Sequence, residues 1–471
     1  EQSDIVIGIW DGESRALVGG TGHTIATALE LGAPVVLIDA EAPAEWCILR
    51  TLEALLNTGD GAACENREEV LATLVREALH PAGDGSVHAA MEALSEQTWR
   101  RRSNPLFHGY RRIETLFGGG KRRLRSLRQT YETPDEIAGG SGAGVIRALD
   151  NLPGADPDYA DSIATAVLCR FAWTDGISTR YSDLYRGGMI ASFLASGCAG
   201  VIGVAYLPFG SHETKWAFVL AEFLLLVSIL VITRLGRRRA WHARWFETRR
   251  VAEYLRHSPI LLALGVARAP GHWPRGTETS WPEYYARQSL REVGLPRVAI
   301  TQAYLRAALR DLVDAHVLSQ RDYHRAKAER LSAAHHNLDR LSSALFQLAV
   351  LSVASYLLLR AAAALGWISE DVPLQLTSIF TFLGVFFPTF GGTIAGVRYF
   401  GDFDRFAAIS EISAEKLDAV HRRAELILAA PDEVLDYRSV ADIARAADDI
   451  VVAEIENWQS VFGGKHITVP V

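Results

Sequence analysis

Cysteine is scarce in this chain: four in 471 residues, with no Cys-x-x-Cys and no Cys/His cluster at metal-ligand spacing. That excludes a disulfide scaffold and the common zinc modules. Lysine is scarce too, 5 against 43 arginines, a usage that fits a GC-rich genome and carries no functional message. Charge of one sign does not dominate. The formal net charge is −7 with 22% of residues charged, and the mild acidity of the whole says little about partners. A signal-peptide pattern is lacking. The sequence starts at Glu1 without a Met and enters a strand at once, so residues that once preceded it are expected.

Apolar residues, by contrast, are plentiful: 49% hydrophobic, with a mean hydropathy of +0.08. They gather in four runs. Residues 189–209 carry no charge, residues 216–233 only Glu222, residues 344–368 only Arg360, and residues 374–397 none. A hydrocarbon core of about 30 Å needs about 20 helical residues at 1.5 Å each, so each run suffices to span a bilayer. The links within each pair, 210–215 and 369–373, hold almost no basic residues, whereas Arg234, Arg237, Arg238, Arg239, Arg244, Arg249 and Arg250 follow the second run. Basic residues stay cytoplasmic, which places both termini and the long central segment inside. Lone charges within a bilayer usually pair or snorkel. Measured from the outer ends of their own runs, Glu222 and Arg360 lie about equally deep, roughly 9–10 Å, so an interhelical ion pair between them is expected.

The amino-terminal residues read differently. DIVIGIW at 4–10 has the Ile/Val character of a buried parallel strand. A polar loop from Asp11 leads to Gly19, Gly20, Thr21 and Gly22, then to a helical stretch opening at His23 and closed by Gly32, then to a second strand, APVVLI at 33–38. Such a β–Gly turn–α–β unit suits phosphate, because glycines admit close backbone approach and the free amides of a helix start point at an anion. The expected contacts are Asp11, Gly19, Gly20, Thr21, Gly22 and His23. No catalytic set and no metal site stands out. The same glycines can also serve strand–helix packing alone.

VIGIWDG…GGTGHTIATALELGAPVVLI resembles the carboxyl half of the LOG/SLOG superfamily of Rossmann-like nucleotide-binding domains, over about the first 40 residues. In its enzymatic members the pattern is Pro-Gly-Gly-x-Gly-Thr followed three residues later by a catalytic Glu. Here Gly19, Gly20 and Gly22 match, while Val18, His23 and Ala26 replace the Pro, Thr and Glu. The resemblance therefore implies sensing of a nucleotide-derived ligand, ADP-ribose-like or a cyclic nucleotide, over hydrolysis of an N-glycoside. Hydrolysis would need a substitute carboxylate such as Asp11 or Glu13.

Residues 41–185 read as helices and loops. Within them 99–128 mixes ten basic residues with aromatics and leucines, a composition expected to lie on the membrane face; no nucleic-acid partner is expected. Residues 241–267 read as an amphipathic helix kinked at Pro259, and the apolar spacing from Val298 continues without Pro or Gly into the third run. The stretches WHARWFETRRVAEYLRH, QRDYHRAKAERL and AEIENWQSVFGGKH resemble SLATT-type bacterial membrane proteins, which are found with nucleotide-sensing domains. The expected protein is mainly α, with four transmembrane helices, long cytoplasmic helical extensions and an amino-terminal α/β Rossmann-like fragment. Its expected parts are that fragment at 1–40, the helical and loop region at 41–185, hairpins at 186–236 and 341–400, a stalk at 237–340 and terminal helices at 401–471. Its expected partners are the lipid bilayer of a bacterial inner membrane, a small nucleotide and further copies of itself. The row Gly197, Gly200 and Gly203 is expected to admit close helix packing. A structural scaffold that binds nothing is the remaining alternative.

Overall fold

The computed structural model describes residues 3–13, 19–56, 66–79, 86–101, 105–119, 131–268 and 281–462. The chain is mostly helical (76%). It starts with a small α/β module in which β1 (Val6–Trp10) and β2 (Val35–Asp39) run parallel in the register Val6 to Val35, joined by helix α1 (Thr21–Glu30). A third strand, β3 (Cys47–Leu49), pairs antiparallel with β2 to give the order β1-β2-β3. Ile25, Ala28, Leu29, Ala33, Val35 and Leu49 form its core, with Leu55 of the short helix α2 (Leu52–Leu56) packed against them. The module therefore continues past residue 40. A three-residue strand leaves too little periodicity to be read as one. Gly8 lets α1 lie on the sheet, since a Cβ there would stand 2.7 Å from Ile25 Cδ1.

Two further helices, α3 (Arg67–Leu79) and α4 (Ser86–Ser95), lead to α5 (Gly109–Phe117), α6 (Ala143–Asp150) and α7 (Tyr159–Ile163). The described part of the basic stretch is divided: Arg100, Arg101 and Arg112 are exposed, whereas Tyr110 and Arg111 of α5 turn inward. Arg111 of α5 donates to Asp183 at 2.7 Å and to Tyr131, and Tyr110 stacks on Phe403 at 5.2 Å. Buried carboxylates demand such partners. Residues 102–104 and 120–130 of that stretch lie outside the described residues.

Four helices are long and apolar enough to cross a membrane, and they come as two hairpins of one plan. In the first, α7 passes through a π-helical turn (Ala164–Leu168) into α8 (Cys169–Phe209), which turns back as α9 (Lys215–Arg238). In the second, α12 (Gln302–Ala307) passes through a π-helical turn (Ala308–Asp314) into α13 (Ala315–Ala364), which turns back as α14 (Asp371–Gly401). Each returning helix ends at one left-handed residue, Ala240 (φ 45°) or Asp402 (φ 45°). Each is followed by a helix that folds back on the long one: α10 (Trp241–Ala263) on α8, and α15 (Phe403–Ala429) on α13. Each of these starts on a buried aromatic, Trp241 or Phe403.

The apolar segments stand side by side in the order α9, α8, α14, α13; α9 and α13 make no extensive contact with each other. The middle seam is close. A Cβ on Gly197 would fall 2.2 Å from Thr393 Oγ1, and one on Gly396 2.8 Å from Phe193. Small residues let helix backbones approach where apolar solvent gives no hydrophobic drive. Gly200 faces Thr389 across the same seam, but Gly203 faces Glu222 of α9.

Away from these segments, the lower halves of α8 and α13 join α10, α15 and α16 (Tyr437–Phe462) around one large core. Helix α10 lies at its centre. Every residue from Arg250 through Leu264 except Arg256 is buried, so the expected amphipathic helix is enclosed on nearly all sides. Its last carbonyls are bonded by tyrosines from three other elements. Tyr159 reaches Leu262 O at 3.0 Å, Tyr304 reaches Ala263 O at 2.6 Å and Tyr437 reaches Leu264 O at 2.9 Å. A helix end buried without such donors would leave costly orphan acceptors.

Candidate functional site

Gly19, Gly20, Thr21, Gly22 and His23 follow the carboxyl end of β1, at the start of α1. Gly19 adopts φ +93°, a conformation that glycine takes without cost. Gly20 is the extended residue before α1, with no side chain capping the helix. Thr24 N closes the first turn on Gly20 O at 3.0 Å, and the amides of Thr21, Gly22 and His23 belong to the group that a helix start leaves without intrahelical acceptors. Gly22 has a packing role: its Cβ would stand 3.1 Å from the Trp10 ring. Asp11 lies at the same end of the sheet, where its carboxylate accepts from Glu13 N at 3.1 Å. Asp39 ends β2 opposite Trp10 in the strand register and accepts from Glu41 N at 2.8 Å. The structure thus brings the six predicted residues to one edge, the edge where open α/β sheets bind ligands. Residues 14–18, between Asp11 and Gly19, lie outside the described residues. Ala26 and the exposed Glu30 follow on α1, so α1 places no carboxylate in its opening turns.

The module is held to the helical body through α11 (Trp281–Val293). Asp4, just ahead of β1, pairs with Arg287 and Arg291 of α11. Arg291 also donates to Ala78 O at the end of α3, at 2.7 Å. From α11, Ser289 and Glu292 hold Arg170 at 3.0 and 2.6 Å, and Arg170 sits in the first turn of α8. A bridge through α11 therefore links the residue ahead of β1 to the helix that becomes the first apolar segment. No motif marks it in the sequence, because it joins residues more than 100 positions apart.

A second polar cluster lies inside the helical body. His257 of α10 and His316 of α13 share a hydrogen bond at 2.9 Å. Arg249 and Arg256 of α10 flank them, both bonded to Asp175 of α8 and to Glu253. His324 and Lys327 of α13 contact Glu454 of α16 at 3.4 and 3.3 Å. The cavity between these groups measures about 10 Å³, room for one water and for no larger ligand. Burial, reinforced by Arg256, drives His316 down to about 4; burial and the facing His316 drive His257 well below its ordinary range. Burial pushes Glu454 up, yet Lys327, His324 and Arg249 together hold it below the usual carboxylate range. The sequence did carry a signal. Arg249, Glu253, Arg256 and His257 recur at helical spacing, as do His316, Gln320, Tyr323, His324 and Lys327.

The structure does not bring Glu222 and Arg360 together. Phe209, the last residue of α8, meets Phe382 edge-on at 5.3 Å, whereas α14 begins eleven residues earlier, at Asp371. The second hairpin thus reaches about 16 Å beyond the tip of the first. Depths measured from separate ends do not correspond. Glu222 rests against Gly203, and Arg360 is exposed near the end of α13.

Comparison with protein-family models, curated proteins and solved structures yields no match to this chain.

Proposed function

We propose that this chain is a sensor–effector of the bacterial inner membrane, with both termini cytoplasmic. A nucleotide-derived anion, ADP-ribose-like or a cyclic nucleotide, binds at Gly19, Gly20, Thr21, Gly22 and His23. Its occupancy biases the packing of the four apolar helices in a homo-oligomer. One observation carries this reading: α11 is gripped by the module at Asp4 and grips α8 at Arg170. A change at β1 and α1 then has a physical route to the helix that enters the bilayer. The amides of a helix start and its positive dipole end suit phosphate oxygens. The absence of a carboxylate at Ala26 favours retention of the ligand over its cleavage.

The test incubates the protein in lipid nanodiscs with a panel of adenine and guanine nucleotides and reads bound and released material by mass spectrometry. An intact nucleotide retained by the wild type and lost in Gly20→Glu is the expected result. Release of free base would replace sensing by N-glycoside hydrolysis, and no retention across the panel would leave a structural scaffold.

A further inference from the structure

The row of apolar helices has an order. Reading α9, α8, α14, α13 along it gives a returning helix, a long helix, a returning helix and a long helix, with neighbours antiparallel throughout. The two hairpins share the π-turn, the left-handed break and the fold-back helix, so they act as two copies of one unit. They do not face each other across a two-fold axis. If they did, the contact of α8 with α14 would be matched by one of α13 with α9, and those two helices make no extensive contact. The units are instead stacked head to tail. A heterologous contact of this kind either repeats without end or closes into a ring.

Both ends of the row are open. Burial within the chain does not by itself set those ends apart, because the second, third and fourth apolar segments each have 11% of their most apolar window buried. The large exposed side chains do: α9 and α13 carry more of them than α14, among them Val219, Phe223 and Leu230 on α9 and Phe346, Val350 and Leu357 on α13. The next contact in the series joins α13 of one chain to α9 of another.

We infer that the partner of this surface is a second copy of the chain, docked head to tail, so that α13 of each copy packs on α9 of the next and the hairpins close a ring in the membrane. The inference rests on the membrane-spanning reading and not on the nucleotide. Two copies, four hairpins in all, make the smallest ring. This outer seam lacks the glycines of the inner one and meets through valine, leucine and phenylalanine, so it is wider than the seam of α8 with α14.

The inner contacts of Glu222 with Gly203, Gly200 with Thr389 and Gly391 with Leu345 place Val219 and Val350 at similar depth. The test uses a cysteine-free parent, checked for helix content by circular dichroism, to which Val219→Cys or Val350→Cys is added. The two variants are co-expressed, reconstituted without ligand and treated with a short thiol-bridging reagent. Cross-linking only in the mixture is expected, as is, for the chain carrying both changes, a ladder that stops at the ring size. Cross-linking of V219C or V350C with itself would overturn the head-to-tail order. A monomeric mass in nanodiscs by light scattering would overturn the partner itself. Ligand-free reconstitution keeps either failure separate from that of the nucleotide reading.

Discussion

His257 and His316 illustrate how single side chains tie this fold to solution conditions. Both are held neutral inside the helical body, with His316 near 4 against an ordinary value of 6.5. An unfolded chain takes up those protons more readily than the folded one, so stability present above pH 6.5 is lost as pH falls towards 4. The polar groups around the pair are Arg249, Glu253 and Arg256 on α10, Arg268 beyond its end, Tyr323 and His324 on α13, and Glu454 on α16. Arg256 adds to the depression, so the pair stays neutral across that window. The expected loss from His316 is on the order of 3 kcal/mol at about 1.4 kcal/mol per pKa unit. Melting temperature followed from pH 7 to 4 should fall more steeply for the wild type than for His257→Asn/His316→Asn. Parallel curves would remove the histidines from the account. The sequence showed these residues at helical spacing but not that they are enclosed, since an exposed polar face has the same period.

At the scale of elements, the inner seam of α8 with α14 distinguishes two glycines that look alike in the sequence. A Cβ at Gly197 overlaps Thr393, while one at Gly200 meets Thr389 Cγ2 at an ordinary 3.6 Å. Gly197→Ala should therefore destabilise the protein by about 1–3 kcal/mol through overpacking, and Gly200→Ala should change stability by less than about 0.5 kcal/mol. Chemical unfolding in detergent micelles would read both, and equal effects would contradict the seam as described. The apolar runs themselves were legible, because a bilayer imposes length and composition on any helix that crosses it. Their stagger was not. It depends on which residue of α8 meets which of α14, and hydropathy carries no such register. For the same reason the depth match of Glu222 with Arg360 failed, and the π-turns ahead of α8 and α13 left no mark that could be read locally.

For the whole molecule, the junction between the α/β module and the helical body is the point to challenge. Asp4→Ala removes the anion that Arg287 and Arg291 share. Hydrogen exchange should accelerate in β1 and α11 while the protection of α10 and α13 stays within twofold of wild type; uniform acceleration would show that the module and body are one cooperative unit. The β–Gly turn–α–β order and the placement of Asp11 and residues 19–23 beyond the carboxyl end of β1 could be read from the sequence, because strand and turn chemistry are local. The attachment of that module could not, since it is made between Asp4 and a helix nearly 300 residues away. Helix α13 remains, 50 residues without an interior proline or glycine, a rod of about 75 Å. A rod turns angle into distance: pivoting it by about 5° at one end sweeps the other sideways through roughly 6 Å. That is more than half of the roughly 8–10 Å that separates the axes of packed helices, so a small tilt where α13 leaves the helical core is a large lateral displacement at the tip of the second hairpin.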